Sequence, residues 1–202
     1  MKKLSFMCLL IVSTLLLSAC SNINHPKVGI APYTLSESDE YLLEAFGLIN
    51  NSQLISFNAP KEAKALFIHI YSLDENGDWQ EVNFGGGISI GNKTEPMNHL
   101  EGTFAMTLND NHTIDFTLNS NGRFSSNVEL ANLDFNIKVC AKAFLTDFQK
   151  IEINQEIPVA IMVFDNGASM RSFSVDSYFE PDIFEGMNSV QAVTLTFTNK
   201  EL

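Results

Sequence analysis

From Asn51 onward the hydrophobic period is two and stays two, and this constrains the fold more than any other feature of the chain. In HTIDFTL (112–118), Ile114, Phe116 and Leu118 fall on one face, while Thr113, Asp115 and Thr117 fall on the other. Comparable runs are QLISF (53–57), ALFIHIYSL (65–73), WQEVNF (79–84), GTFAMTL (102–108), RFSSNVEL (123–130) and FNIKVCAKAFL (135–145). QKIEIN (149–154), PVAIMVF (158–164), RSFSVDSYF (171–179) and VQAVTLTF (190–197) complete the set. Turn formers separate them, among them DENGD (74–78), Asn121-Gly122 and Asp165-Asn166-Gly167. Gly85-Gly86-Gly87 reads as a bend or bulge. PVAIMVF is apolar on both faces, as a central strand is. About ten closely spaced strands with no alternating long helices imply an all-β antiparallel sandwich or jelly roll, a closed β-barrel being the alternative.

One short helix is expected ahead of the strands. Ser36 and Asp39 have capping-box spacing, and Leu42, Leu43, Phe46 and Ile49 make an apolar stripe that Gly47 can end. Such a helix is expected to cover an open end or edge of the sheets. Residues 21–33 (SNINHPKVGIAPY) are polar, hold two prolines and show no period, so they read as a tether.

The amino terminus carries the most specific signal. Lys2 and Lys3 precede an apolar run from Leu4 to Leu17, followed by Ser18, Ala19 and Cys20. These are the three parts of a secretory signal, and the run is shorter than the roughly 20 residues that span a bilayer. The ending Leu17-Ser18-Ala19-Cys20 resembles the lipobox of bacterial prolipoproteins, a resemblance confined to residues 1–20. It implies cleavage before Cys20, acylation of its thiol and firm anchoring, since two or more acyl chains hold a membrane stably. The implied address is extracytoplasmic: the outer face of the cell membrane, or the outer membrane of a two-membrane bacterium, because Ser21 follows the cysteine. The expected organisation is a cleaved signal (1–19), a lipidated Cys20 with flexible tether (20–34) and a single β-sandwich domain (35–202).

Charge and cysteine usage narrow the partners. The signal holds two of the 12 basic residues and none of the 24 acidic ones, so the mature chain sets ten against 24, or −14. Such a protein repels nucleic acid and anionic lipid surfaces. Cys8 leaves with the signal and Cys20 is lipidated, so Cys140 stands alone and no intramolecular disulfide is expected. Lys138 and Lys142 flank it on one strand face, an arrangement that would lower the thiol pKa.

Candidate sites are few. Phe67, His69 and Tyr71 share one face of the first long strand, and Trp79, the single tryptophan, begins the return. Aromatic rings on a sheet face are a stacking surface for sugars, so these four are the expected ligand-binding residues and carbohydrate the first ligand class. Asp176, Glu180, Asp182 and Glu185 in the acidic stretch VDSYFEPDIFEG are weak candidates for a metal, or for the paired carboxylates of a hydrolase. DENGDW fails as a calcium loop, since Trp79 and Gly85 occupy its sixth and twelfth places. No nucleophile elbow, phosphate loop or closely spaced histidine pair is present, and no cofactor is expected. The leading expectation is a non-catalytic, lipid-anchored binding module. A structural or accessory subunit of an envelope complex is the alternative, and a hydrolase ranks last.

Overall fold

The computed structural model describes residues 27–90, 99–109, 111–120, 122–130, 137–167 and 171–200. The expected signal and Cys20 lie outside them. In chain order the elements are β1 (Gly29–Pro32), α1 (Glu37–Ala45), β2 (Ser52–Asn58), β3 (Ala65–Leu73), β4 (Trp79–Ser89), β5 (Glu101–Leu108) and β6 (Thr113–Asn119). Then come β7 (Arg123–Glu129), β8 (Val139–Phe144), β9 (Glu156–Asp165), two 3-10 turns (Val175–Phe179 and Pro181–Phe184) and β10 (Ser189–Thr198). The strands form two antiparallel five-stranded sheets, ordered β1-β2-β5-β6-β7 and β4-β3-β10-β9-β8. Among the described residues the sheets do not close into a barrel; the architecture is a β-sandwich.

The alternation read from the sequence sorts residues between core and surface. Ile55, Phe57, Phe104, Met106, Phe116 and Leu118 point inward from the first sheet and meet Leu66, Ile68, Ile70, Val193, Leu195 and Phe197 of the second. Phe57 and Phe197 meet ring to ring across the layers at 5.8 Å. Burial of each such side chain contributes about 1.5–3 kcal/mol, and with no disulfide expected this core carries the stability. β9 is buried on both faces, as its unbroken apolar run requires.

The two open sides of the sandwich are closed by close approaches. On one, the Phe124 ring of β7 passes over Gly86, where a Cβ would lie 2.1 Å from it. The Gly85 carbonyl there accepts the Ser126 hydroxyl at 2.5 Å. Gly85 is skipped in the β3–β4 register between Ile68↔Gly86 and His69↔Phe84, so the glycine triplet is indeed a bulge within a strand. On the other side Ile30 and Gln149 exchange backbone hydrogen bonds of 2.8 and 2.9 Å.

Several expectations need correction. Residues 29–32 are not tether: β1 pairs with β2 and buries Ile30 completely, so the folded body begins at Gly29 at the latest. Residues 149–154 form no strand; apart from the Ile30–Gln149 bridge they turn, with Asn154 at a positive φ of 63°. Residues 171–179 form no strand either. Val175 and Tyr178 are both buried three places apart, the spacing of a 3-10 turn, and Pro181 suits the start of the next. Finally, the Cys140 thiol pKa is not lowered: although the residue is exposed, desolvation of its sulfur pushes the pKa up against the pull of the Lys142 ammonium.

α1 forms where expected. The Ser36 hydroxyl accepts from the Asp39 N–H at 3.3 Å while Asp39 Oδ2 accepts from the Ser36 N–H at 3.0 Å, a complete capping box. The same Ser36 contacts hold the Asp39 carboxyl below its usual range. Yet none of the nine helical residues is buried, so the helix does not seal an edge.

Candidate functional site

The outer face of the β4-β3-β10-β9-β8 sheet gathers the sequence-predicted aromatic residues. Leu66, Ile68 and Ile70 of β3 turn inward, which sends Phe67, His69 and Tyr71 outward. The β3–β4 hairpin sets Trp79 opposite Leu73 on the same face. All four expected residues therefore share a surface, but the chain treats them differently.

The two 3-10 turns lie over one half of this face. Tyr178 and Phe184 pack there on Ile161, Val163, Val190 and Ala192 as a second hydrophobic cluster. The Trp79 ring stacks on Tyr178 at 4.9 Å and 17°, and its indole N–H donates to the Tyr178 carbonyl at 2.9 Å. Both the π-face and the polar handle of the tryptophan are thus engaged within the chain. Trp79 clamps the cover and is not an open stacking platform. Phe67 and His69 lie beyond the cover, beside a half-exposed Phe84 from β4. His69 Nδ1 lies 2.7 Å from Glu81 Oε1.

Tyr71 leads to residues the sequence reading missed. Its hydroxyl donates to one oxygen of Glu156, at the start of β9, and the Tyr178 hydroxyl donates to the other at 2.5 Å. Burial pushes both phenols well above the ordinary tyrosine range, and their bonds to the Glu156 carboxylate push them further. They remain protonated donors at any physiological pH. One phenol on each oxygen holds Glu156 in place, and because a carboxylate oxygen can accept more than one hydrogen bond it keeps acceptor capacity. Thr196, opposite Glu156 in the β9–β10 register, and its near neighbour Thr194 bury hydroxyl oxygens that find no hydrogen-bond partner among the described residues.

Beside Glu156 a polar cleft of about 260 Å³ opens between the first 3-10 turn and the segment leading into β9. Gln149, Lys150, Gln155, Glu156, Asp176 and Phe179 line it. Phe179 is 65 % exposed despite its size. The cleft therefore pairs one open ring with amide, carboxylate and ammonium groups, a combination suited to a small ligand with many hydroxyls. The sequence signal was available in part. Glu156 is a carboxylate joined directly to a strand buried on both faces, where an acid is kept for its bonds.

The acidic residues of the covering segment do not converge. Asp176 lines the Glu156 cleft, whereas Asp182 and Glu185 line a separate one of about 340 Å³ with Asp74 and Glu75. Glu180 closes the first 3-10 turn through its N–H to Ser177. Among the described residues no group of three His, Cys, Asp or Glu side chains is placed to hold a metal ion. The DENGD segment is a turn, in which Asp74 Oδ1 accepts the N–H groups of Asn76 and Asp78, each at 2.9 Å.

Comparison of the chain with protein-family models, with curated proteins and with solved structures finds no match. Among the described residues no helix is long and apolar enough to cross a membrane.

Proposed function

We propose that the protein is a lipid-anchored, extracytoplasmic binding module that holds a carbohydrate in the cleft beside Glu156. The observation that carries this reading is the pairing of the open Phe179 ring with Glu156, whose carboxylate is fixed by two phenols. A sugar ring packs its C–H face on an aromatic ring and spends its hydroxyls on rigid polar groups. Gln149, Gln155, Asp176 and Lys150 supply further donors and acceptors on the same walls. The lipobox-like ending at Cys20 supports the anchor and the address. Glu156 is tied to donors that stay protonated, so it serves as a fixed acceptor and not as a free general base; the module is non-catalytic.

The test is thermal unfolding of the full-length protein in phosphatidylcholine nanodiscs against soluble oligosaccharides of cell-envelope and storage polysaccharides. Ligand at 100 times Kd stabilises by about 2.7 kcal/mol, a visible shift. One sugar class should raise Tm, Phe179→Ala should abolish the rise, and Phe84→Ala should leave it. The converse pattern would move the site to the open Phe67–Phe84 ridge. A flat response to every sugar would reject the carbohydrate reading.

A further inference from the structure

Charge in the cleft beside Glu156 narrows the kind of sugar it suits, an inference that rests on the carbohydrate reading above. Four charged side chains line the cleft: Lys150, Glu152, Glu156 and Asp176. Lys150 Nζ lies 3.5 Å from Glu152 Oε1, so that ammonium and that carboxylate offset each other. Among the described residues neither Glu156 nor Asp176 lies within ion-pair distance of a Lys, Arg or His side chain. The donors on Glu156 are the Tyr71 and Tyr178 hydroxyls, which are neutral and fix the carboxylate without cancelling its charge. Asp176 is exposed and accepts no hydrogen bond from the described residues. The walls therefore carry two carboxylates in excess.

The Tyr178 hydroxyl ties Glu156 to the same 3-10 turn that presents Asp176 and Phe179, and the Trp79 ring stacked on Tyr178 holds that turn to the sheet. The open ring and the two unpaired carboxylates therefore keep their places before a ligand arrives, which lowers the ordering cost of binding. At about 260 Å³ the cleft falls just below the range of drug-sized pockets, which leaves room for about one sugar ring with its substituents. A neutral sugar would strip water from both carboxylates and return only hydroxyl hydrogen bonds, whereas a ligand ammonium returns charge-assisted ones. We propose that the cleft selects an amine-bearing sugar, a hexosamine unit with a free amino group. Its ammonium lies toward Glu156 and Asp176, its C–H face lies on Phe179, and its hydroxyls meet Gln149 and Gln155. Acetylation of that nitrogen removes the charge, and a sugar phosphate would meet two like charges.

The probe is the β-1,4-linked glucosamine tetramer, beside its fully N-acetylated form and the glucose tetramer of the same linkage. Each is titrated by calorimetry into the full-length protein in phosphatidylcholine nanodiscs, with empty discs subtracted. The pH is about 5.5, where ordinary carboxylates are ionised and the probe amines are protonated. The amine tetramer should bind at least about tenfold more tightly than either neutral one. Asp176→Asn should weaken the amine tetramer about tenfold and leave the neutral ones unchanged. Asp176 is exposed, so Tm should not move. Added salt should narrow the preference in the wild type, with no substitution needed, and a preference that salt leaves intact would contradict its electrostatic origin. Asp182→Asn, in the separate cleft, should leave every titration as in the wild type. Equal weakening by Asp182→Asn would reduce the preference to the overall charge of −12 and overturn the inference. Equal binding of the three tetramers, or tighter binding of a neutral one, would overturn it too, with the carbohydrate reading left standing. Binding of none of the three would overturn it as well, and the wider panel of sugars then decides the carbohydrate reading separately.

Discussion

Over β3, β9 and β10 the chain lays down its own cover, and over β2 and β5 it leaves a helix standing clear. The covering segment spends Tyr178 and Phe184 on the sheet, receives the Trp79 indole and ties Tyr71 to Glu156. The helix fully buries none of its residues: Leu43 is half-buried, and Tyr41, Leu42 and the capping Phe46 remain exposed. Both regions carry aromatic side chains near a sheet face, so aromatic content does not separate them. What separates them is whether the partners of those rings are supplied within the chain. Where they are, as for Trp79, the ring is structural; Phe46 stays exposed, and Phe179 meets only the edge of Tyr178 and keeps most of its surface open.

The contrast can be tested by removing one ring from each side. Phe184→Ala should cost about 3 kcal/mol in chemical denaturation, because the ring is almost wholly buried in the outer cluster. Equal tolerance of Phe184→Ala and Phe46→Ala would break the comparison outright. Glu156→Gln comes next, with an expected loss of about 2 kcal/mol, since both phenols lose a charged acceptor. Its pH signature is more specific than its size. The folded-state phenol pKa values are raised, so their stabilising effect is complete below the ordinary tyrosine value of about 10 and fades as pH rises above it. Glu156→Gln should bring the titration of two tyrosines back toward the ordinary range in tyrosinate absorbance. A titration curve indistinguishable from wild type would remove Glu156 as their anchor.

Smaller effects belong to the helix. Ser36→Ala deletes the cap and should weaken α1 by about 1 kcal/mol, seen as faster exchange of α1 amides with little change in global unfolding. Phe46→Ala should lie within about 0.5 kcal/mol of wild type, as exposed positions do.

Much of this was legible in the residues, and the gaps have physical causes. Strands with a clean alternation, such as β6 and β3, fell where the period placed them, because inward and outward residues differ sharply in polarity. β1 was hidden: Gly-Ile-Ala-Pro is too short to show a period and contains two strand-disfavoured residues. Pro32 is tolerated there because β1 is an edge strand. The 171–179 stretch alternates too, but Val175 and Tyr178 also sit three apart, and burial on the sheet favoured the second spacing. The shared face of Phe67, His69 and Tyr71 was readable from one strand alone. That Trp79 would be stacked by Tyr178, or that Tyr71 would reach Glu156, depended on contacts between residues far apart in sequence, which local patterns do not encode.

The most direct measurement is native-state hydrogen exchange on the full-length protein, comparing amides of the 3-10 cover with those of α1. The Ser177, Glu180 and Met187 N–H groups, bonded within the cover, should open with a free energy approaching that of global unfolding. The Glu40 N–H of α1 and the Phe46 and Gly47 N–H groups that close its C-terminus should open locally at far lower cost. If α1 proves as protected as the cover, the helix is part of the packed body and the asymmetry between the two faces is wrong.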